Sequence, residues 1–335
     1  MKVALIGSGS WGTAIAGVAA QKADTVCMWA HSEDVCSGIN TAHRNPRYLC
    51  DYELPGNVSA SNDLKCVLNH ADSVIFAVPS VHLRGISHDA AAYIAEDVPI
   101  LCLTKGIEAD TGYLMSEVIA SEIGHPERVA ALSGPNHAEE ICKGGLSAAV
   151  VAAEEDEIAE HFKSLLISPM FRIYVAHDMA GVETCGAMKN VIAIVCGIAA
   201  GSGLGDNSLA LIMTRGLAEI SRVVHARGGE ALTCMGLAGM GDLVATCTSP
   251  HSRNRSFGVA FVSGTSLEEY QQQIHMVVEG AAAANSIAQL ARKLGIDVPL
   301  TFALDKTLKG EISISDALST LTARVPSEEF YGLSD

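Results

Sequence analysis

The sequence predicts an α/β protein in which a doubly wound parallel sheet is followed by an all-α C-terminal domain. Three observations support this prediction: a glycine-rich turn directly after the first apolar run, short apolar runs that alternate with helical segments, and long helical segments in the second half. A length of 335 residues is enough for two domains of ordinary size. We therefore expect one domain over residues 1–177 and a second over residues 178–335.

The first element is a strand followed by a glycine-rich turn and a helix. The apolar run Lys2–Ile6 leads into Gly7-Ser8-Gly9-Ser10-Trp11-Gly12, and an Ala-rich helical segment follows. Gly7 permits a tight turn, Gly9 lets the backbone approach a pyrophosphate, and Gly12 allows close packing of helix on strand. The helix N-terminus adds amide donors and a positive dipole end. This pattern predicts a Rossmann-like, dinucleotide-binding first domain.

Further strands continue the alternation through the first half. The predicted strands are Thr25–Trp29, Ser73–Val78, Ile100–Leu103, Ala130–Leu132, Ala148–Ala152 and Arg172–Val175. Helical stretches separate most of them, which indicates parallel strands joined by right-handed crossovers.

The end of the second predicted strand is where a dinucleotide-binding domain distinguishes its cofactors. An acidic residue there binds the ribose hydroxyls of NAD, whereas a basic residue accommodates the 2′-phosphate of NADP. Here the strand ends Trp29-Ala30-His31-Ser32, and His31 favours neither cofactor. We expect His31 to contact the adenosine end; the alternative is a solvated histidine. The choice between NAD and NADP stays open.

From about residue 178 the sequence predicts helices. The candidates are Asp178–Ala200, Asn207–Arg227, Glu279–Leu294, Leu300–Lys309 and Ser315–Arg324. The first of them carries one basic residue, Lys189, among apolar neighbours on every face. Burial there would lower the pKa of its ammonium group and make it able to exchange protons near neutral pH. The alternative is a lysine whose buried stem carries its head to solvent.

Composition excludes several classes of partner. The net charge is −16 and no basic run offsets it, so we expect no nucleic acid and no anionic membrane as a partner. The ten cysteines form no Cys-x-x-Cys pair, which is typical of a reducing cytoplasm. The apolar run Val191–Ala200 is too short to span a membrane. No His, Cys or Asp cluster has metal-ligand spacing, so no metal is predicted.

Five further segments carry polar residues that the surrounding strand and helix patterns do not require, and they are therefore candidates for a functional site. They are Thr104-Lys105-Gly106, Ser133-Gly134-Pro135-Asn136-His137-Ala138-Glu139-Glu140, Gly239-Met240-Gly241-Asp242-Leu243, Pro250-His251-Ser252-Arg253-Asn254-Arg255-Ser256-Phe257-Gly258 and Val277-Val278-Glu279-Gly280. Lys105 directly follows a strand, at the sheet edge where open α/β folds bind ligands. Structural alternatives are a surface loop for Lys105, a helix capped by Ser133 or Asn136, and dipole stabilisation by Glu279.

The Ser252–Arg255 segment is the best anion site in this acidic chain. Arginine forks match the geometry of a phosphate, and two arginines lie here beside hydroxyl and amide donors. A solvated basic turn is the alternative. We favour the phosphate site, because the rest of the chain repels anions.

Together these motifs resemble the bacterial NAD(P)-dependent glycerol-3-phosphate dehydrogenase family, from Gly7 to about Arg324. The resemblance implies reversible hydride transfer between NAD(P)H and dihydroxyacetone phosphate, a reaction that feeds glycerophospholipid synthesis. It also implies a cytoplasmic homodimer. Related dehydrogenases acting on 3-hydroxyacids or sugar-acid phosphates are the first alternative, and a non-catalytic NAD(P) sensor is the second.

The resemblance also assigns roles to individual residues. Lys189 matches the general acid/base, Lys105 a second lysine that touches substrate and cofactor, and Asp242 a carboxylate that orients Lys189 and the substrate hydroxyl. The other substrate-binding positions are Gly134, Asn136, Ser252, Arg253 and Asn254. The cofactor-binding positions are Gly7, Gly9, Ser10, Trp11, Gly12, His31, Lys105, Ala138, Arg253, Val277 and Glu279.

The resemblance also makes Asn190 and Thr246 further substrate neighbours.

The sequence departs from the family pattern at the residues after Ser-Gly-Pro, where the family usually has Ser or Thr and then an aromatic residue. This chain has Asn136 and His137. An asparagine still donates and accepts hydrogen bonds, so we expect binding at this position, while His137 has no assigned role.

Overall fold

The computed structural model describes residues 1–325, 328–329 and 331–333, and the chain forms two compact units. The first unit contains Met1–Thr104 and Met115–Met179. The second contains Ala180–Asp335 together with the short segment Lys105–Leu114. Lys105 therefore belongs to the helical unit, although a strand of the sheet ends shortly before it, at Cys102.

The first unit is built on one eight-stranded sheet in the order β3-β2-β1-β4-β5-β6-β7-β8. The strands are β1 Lys2–Ile6, β2 Thr25–Trp29, β3 Val58–Ser61, β4 Ser73–Phe76, β5 Ile100–Cys102, β6 Val129–Ser133, β7 Ser147–Ala152 and β8 Phe171–Ala176. All the predicted strands are present within two residues of their predicted ends. One further strand, β3, is short, lies at the edge of the sheet and was not predicted from the sequence.

The sheet departs from the parallel prediction at one place. β6 and β7 pair antiparallel, with Leu132 opposite Val151, whereas every other neighbouring pair is parallel. The connection from β6 to β7 contains one helix of five residues, Ala138–Cys142. Such a helix spans about 7.5 Å, too little to carry the chain back along a strand of about 17 Å. The chain therefore turns round and runs antiparallel.

Seven helices cover the two faces of this sheet. They are α1 Ser10–Ala19, α2 Glu33–Ala42, α3 Leu64–Leu68, α4 Ser80–Ala91, α5 Met115–Ile123, α6 Ala138–Cys142 and α7 Asp156–Leu166. Each face has its own apolar core: Val3, Leu5 and Ile15 lie in one, and Ala4 and Ile6 in the other. Consecutive residues of β1 thus point to opposite faces, and both faces are buried, as in a doubly wound sheet.

The second unit is helical, as predicted. Its helices are α8 Met179–Gly201, α9 Asp206–Ala226, α10 Asp242–Thr248, α11 Arg253–Val262, α12 Leu267–Ile274, α13 Glu279–Leu294, α14 Pro299–Leu308 and α15 Ile314–Thr322. The five helices expected from the sequence correspond to α8, α9, α13, α14 and α15, with ends that agree within two residues.

The central helix of the second unit is α8. Its length and composition would also suit a membrane span, but 78% of its most apolar window is buried inside the protein, as in the core helix of a soluble protein. Two glycines bring α11 against it. A Cβ on Gly197 would lie 2.1 Å from the Arg255 carbonyl oxygen, and one on Gly258 would lie 2.2 Å from the Ile194 oxygen. The two helices therefore pack backbone to backbone.

A buried carboxylate fixes the start of α14. Glu219 on α9 is 1% exposed and accepts hydrogen bonds from the backbone N–H of Leu300 and Thr301 and from the Thr301 hydroxyl, at 2.5, 3.2 and 3.0 Å. Burial raises its pKa to about 7, although these donors favour the charged form. Glu219 thus caps a helix other than its own, which explains a buried acid without a catalytic role.

Candidate active site

A cluster of three charged side chains lies in the second unit, and two of them, Lys189 and Asp242, are buried. Lys189 on α8 is 6% exposed, and its Nζ donates hydrogen bonds to Asp242 Oδ1 and, at 2.9 Å, to Thr246 Oγ1. The other carboxylate oxygen of Asp242 accepts a hydrogen bond of 2.7 Å from Lys105 Nζ. The burial predicted for Lys189 is confirmed, and the alternative of a head group in solvent is wrong. Its catalytic role stays a prediction.

Local structure brings Asp242 to this position. A short π-helical stretch, Leu237–Gly241, leads directly into α10, so that Asp242 begins the helix and is 1% exposed. Gly239 permits this arrangement because a Cβ there would lie 2.1 Å from the carbonyl oxygen of Cys234. Thr246 is one helical turn later, on the same face as Asp242, and its hydroxyl lies 3.2 Å from Asp242 Oδ1.

The electrostatics of the cluster tune Lys189. The pKa of Lys189 is lowered to about 7: burial is the main cause, the Asp242 carboxylate acts in the opposite direction, and the Lys105 ammonium group adds to the lowering. Burial by itself raises the pKa of Asp242, but the two neighbouring ammonium groups outweigh that effect and hold the pKa below its usual range. At neutral pH the cluster therefore contains an ionised carboxylate and a lysine whose pKa lies near the pH of the solution.

A second polar chain starts at the residue after Lys189. Asn190 Oδ1 accepts a hydrogen bond of 2.9 Å from Asn254 Nδ2, and Asn254 Oδ1 accepts one of 2.9 Å from the backbone N–H of Gly280. A Cβ on Gly280 would lie 2.5 Å from the Asn190 carbonyl oxygen, so the start of α13 lies directly against α8. The N-termini of α11 and α13 are thus anchored beside the Lys189 turn.

The N-terminus of α11 carries the predicted phosphate-binding segment. Ser252 is 3% exposed and caps the helix, its Oγ accepting a hydrogen bond of 3.3 Å from the Arg255 N–H. Arg253 is exposed and Asn254 is half buried. A helix N-terminus with a guanidinium group beside it suits an anion, because the dipole and the free amides add to the charge. Val277 and Glu279 are half buried at the start of α13.

The predicted dinucleotide turn lies in the first unit, between β1 and α1. Gly7 has a φ of +119°, and a Cβ there would lie 2.4 Å from the Ala77 carbonyl oxygen. A Cβ on Gly12 would lie 2.2 Å from the Gly7 oxygen, whereas one on Gly9 would meet nothing within 4 Å. The first and third glycines are thus required by packing, and the second leaves open space.

The residues present fit a dinucleotide. No side chain caps the N-terminus of α1, which leaves its first amides, including those of Ser10 and Trp11, available to a pyrophosphate. The indole Nε1 of Trp11 is buried and has no hydrogen-bond partner among the described residues, which is expected of a donor aimed at a ligand. His31 is exposed beyond the end of β2.

The Ser-Gly-Pro motif also lies in the first unit. Gly134 has a φ of +154°, and a Cβ there would lie 2.7 Å from the Ala148 carbonyl oxygen. Asn136 is 9% exposed, and its buried Nδ2 has no hydrogen-bond partner in the described part of the chain. The structural alternative, in which Ser133 or Asn136 caps the following helix, is wrong. His137 occupies the N-cap of α6, without a side-chain cap, and Ala138 begins the helix.

Asn45, which was not predicted from the sequence as a functional residue, holds the glycine-rich turn. Asn45 is fully buried and donates hydrogen bonds of 2.8 Å to both the Ser8 carbonyl oxygen and Thr13 Oγ1. The Asn45-Pro46 pair was a usable signal, since asparagine before proline often starts a turn. It did not indicate that the turn would contact residues 37 positions earlier.

Comparisons with known proteins agree with both units. Residues 2–159 match the family described as NAD-dependent glycerol-3-phosphate dehydrogenase N-terminus, and residues 178–319 match the corresponding C-terminus. A glycerol-3-phosphate dehydrogenase (NAD(P)+) from Nocardia farcinica is 46% identical, with 96% of this chain and 98% of that protein covered. One from Corynebacterium diphtheriae is 44% identical, with coverage of 98% and 100%.

Solved structures give the same result. The crystal structure of glycerol-3-phosphate dehydrogenase from Coxiella burnetii has a TM-score of 0.92 and 37% identity, covering 96% of this chain and 99% of that one. A ketopantoate reductase from Ralstonia eutropha, at a TM-score of 0.60 and 17% identity, shares the fold alone. The chain belongs to the family of NAD-dependent glycerol-3-phosphate dehydrogenases.

Proposed function

We propose that this protein is an NAD(P)-dependent sn-glycerol-3-phosphate dehydrogenase, which interconverts dihydroxyacetone phosphate and sn-glycerol 3-phosphate. The observation that carries the proposal is a buried lysine with a pKa of about 7, joined through Asn190 and Asn254 to the N-terminus of α11. A small phosphorylated ketone needs a proton donor at its carbonyl and an anion site at its other end. The second unit supplies the proton donor and the anion site in residues that the backbone and hydrogen bonds connect to one another.

Lys189 is the general acid/base of this proposal. In the direction of reduction, its Nζ donates a proton to the oxygen at C2 of the ketone, and in oxidation it takes that proton back from the hydroxyl. A pKa near the operating pH suits both directions. Asp242 and Thr246 fix the position of Nζ by the two hydrogen bonds described above. Lys105, on the second oxygen of Asp242, adds positive charge beside the carbonyl.

The phosphate of the substrate is bound by Ser252, Arg253 and Asn254 at the start of α11. Two guanidinium N–H groups in parallel match two phosphate oxygens, and the amides of the first turn add further donors. The net charge of −16 makes such a focused site necessary, because the protein as a whole repels a phosphate ester. Gly134 and Asn136 are further substrate-binding positions in this proposal, and the unpartnered Nδ2 of Asn136 supports it.

The cofactor is NAD or NADP. When bound, its nicotinamide supplies or accepts the hydride at C2. The residues that would hold the cofactor are Gly7, Gly9, Ser10, Trp11, Gly12, His31, Ala138, Lys105, Arg253, Val277 and Glu279. Their support is the open space at Gly9, the uncapped start of α1 and the unpartnered indole of Trp11.

The cellular role in this proposal is the supply of sn-glycerol 3-phosphate for glycerophospholipid synthesis in the cytoplasm, by a homodimer. None of the ten cysteines, all of which the structure describes, forms a disulfide, which suits a reducing compartment. The dimer follows from the resemblance alone, and sedimentation of the purified protein would test it.

The test of the proposed reaction is the oxidation of NADH and NADPH with dihydroxyacetone phosphate, followed by nicotinamide absorbance. Unphosphorylated dihydroxyacetone is the matched control, since it has the same ketone without the anion. We expect rapid oxidation only with the phosphate ester. Equal rates with both ketones would contradict the phosphate site, and no oxidation with either cofactor would contradict the reaction.

A further inference from the structure

Neither a carboxylate nor an arginine or lysine directly follows β2, where Ala30, His31 and Ser32 lie between the strand and the acidic first turn of α2. Cofactor choice then depends on a side chain that another segment brings to this edge of the sheet. The segment from Arg44 to Leu49, which we call the Asn45 loop, provides one. It follows α2 and lies in the first unit, with the glycine-rich turn.

Asn45 attaches this loop to the glycine-rich turn. Its Nδ2 donates to the Ser8 carbonyl oxygen, and its Oδ1 accepts hydrogen bonds from the backbone N–H groups of Arg47 and Tyr48 at 3.0 and 3.2 Å. One fully buried amide therefore holds both the turn that would bind the pyrophosphate and the backbone of Arg47. These hydrogen bonds fix the distance between the glycine-rich turn and the backbone of Arg47.

The side chain of Arg47 extends from there to the start of α2. Its Nε and one Nη donate to the two oxygens of Asp34 at 2.7 and 2.8 Å, and Asp34 lies in the first turn of α2, just beyond β2. The guanidinium group is thus held at the junction of β2 and α2. In a Rossmann-like domain the adenosine ribose lies at this junction.

Arg47 retains the donors that a second anion requires. A guanidinium group carries five N–H donors, and Asp34 takes two of them along one edge. The side chains of Arg47 and Asp34 are both about half exposed, so solvent screens their ion pair. Arg47 can therefore bind a phosphate while it still contacts Asp34. Arg47 also neutralises the charge of Asp34, which would otherwise repel that phosphate.

We propose that Arg47 binds the 2′-phosphate of NADP and thereby makes this protein prefer NADP(H) to NAD(H). The proposal rests on the proposed function, because it names the cofactor of that reaction. The chemistry that Arg47 recognises is a phosphomonoester on the adenosine ribose. His31 and Ser32, at the end of β2, lie at the same edge of the sheet.

The experiment measures binding without turnover. Adenosine 2′,5′-bisphosphate and adenosine 5′-monophosphate differ only in the 2′-phosphate, and calorimetry gives the dissociation constant of each for the purified chain. We expect the bisphosphate to bind at least about tenfold more tightly, as one charge-assisted hydrogen-bonded contact provides. Equal affinities in the unsubstituted protein would overturn the proposal.

The variants Arg47→Gln and Arg44→Gln form a matched pair. Both remove one positive charge from the Asn45 loop, but Arg44 bonds instead to Glu53, at 3.0 Å, and to the Asp51 carbonyl oxygen. We expect Arg47→Gln to weaken the bisphosphate about ten- to a hundredfold and the monophosphate by less than about twofold. We expect Arg44→Gln to leave the ratio of the two affinities unchanged.

Two further outcomes separate this proposal from the proposed function. Equal weakening by both variants, or equal weakening of both nucleotides by Arg47→Gln, would overturn the role of Arg47. A selective loss of bisphosphate binding in Arg47→Gln supports it even in a preparation that does not reduce dihydroxyacetone phosphate. The nucleotide measurements contain no ketone, so a failure of the reaction leaves them intact.

Discussion

The glycine-rich turn of the first unit and the lysine cluster of the second are built in opposite ways. The turn consists of consecutive residues and offers backbone amides, without any charged side chain. The cluster joins side chains that lie 53 and 137 positions apart in the chain, and it contains two ammonium groups and a carboxylate. The glycine-rich turn thus offers a ligand its backbone shape, whereas the lysine cluster places charged groups in the protein interior.

The difference shows where function costs stability. Glycines at close contacts cost little beyond the entropy of the unfolded chain. Buried charges are each desolvated, and they persist only because each has a partner of opposite sign. The same desolvation lowers the pKa of Lys189 to about 7 and so produces the proposed acid/base group. Substitutions in the glycine-rich turn and in the lysine cluster should therefore differ in their effects on stability, binding and turnover.

The largest effect is expected from removing the proton donor. Lys189→Ala should lower the turnover of dihydroxyacetone phosphate by about 10²–10⁴-fold, as loss of a general acid does. Binding of NADPH, measured by its fluorescence, should remain within about twofold. Lys293→Ala, an exposed lysine of α13, is the control and should leave turnover unchanged. Unchanged turnover in Lys189→Ala would contradict its role.

Asp242→Asn should mainly lower the stability of the second unit. The substitution leaves two ammonium groups without their carboxylate, and loss of one partner of a buried ion pair costs about 3–5 kcal/mol of unfolding free energy. Denaturant unfolding followed by circular dichroism measures it. Asp206→Asn, at the exposed start of α9, should cost less than about 1 kcal/mol. Similar losses in both variants would show that the cluster is not a buried ion pair.

Gly7→Ala tests the other region. Its φ of +119° and the 2.4 Å approach to the Ala77 oxygen leave no room for a methyl group, so we expect a loss of about 1–3 kcal/mol together with weaker cofactor binding. Gly85→Ala, on the exposed side of α4 with nothing within 4 Å, should be neutral or slightly stabilising. If the two alanines behaved alike, the tight turn would not be required.

The lysine cluster should make the reaction rate depend on pH, whereas the uncharged glycine-rich turn should not. Reduction needs protonated Lys189, so kcat/KM for dihydroxyacetone phosphate should fall about tenfold per pH unit above about pH 7. Oxidation needs the neutral amine and should rise with pH up to the same point. Asp242 raises the pKa of Lys189, so Asp242→Asn should move both profiles to lower pH. Reduction that stays constant from pH 7 to pH 9 would exclude Lys189 as the acid.

The smallest effect is expected at Thr246. Thr246→Val keeps the shape of the side chain but removes the hydroxyl that lies 2.9 Å from Lys189 Nζ. One hydrogen bond is worth about 0.5–1.5 kcal/mol, or about two- to tenfold in kcat/KM. Thr248→Val, on the same helix but exposed, is the control. A loss of a hundredfold would mean that Thr246 does more than position the lysine.

Prediction from the sequence succeeded where neighbours along the chain decide the structure. The β1–turn–α1 unit is visible because six consecutive residues contain all its constraints, and the predicted strands and helices agree with the structure within two residues. It failed at the antiparallel pairing of β7, and the cap that it offered for α6 as a structural alternative is not formed. Both depend on how a short connection fits against the rest of the sheet.

The candidate site divides in the same way. An isolated lysine in an apolar helix predicted the burial of Lys189, and the family resemblance paired Asp242 with it, but neither indicated that Asp242 would also bind Lys105. Asn45 and Arg47 went unnoticed because an asparagine and an arginine in a polar loop look like ordinary surface residues. Their significance comes from the Ser8 and Asp34 atoms that they contact.

The sequence by itself determined the fold class, the dinucleotide turn, the helical second half and the identity of the titratable lysine, because each depends on periodicity, glycine spacing or local polarity. Only the tertiary structure decided how far the pKa of that lysine falls, that Lys105 shares its carboxylate partner, and where Arg47 lies. Charges interact through space over a few ångströms. Separation along the chain does not limit that interaction, so only folding determines which charges meet.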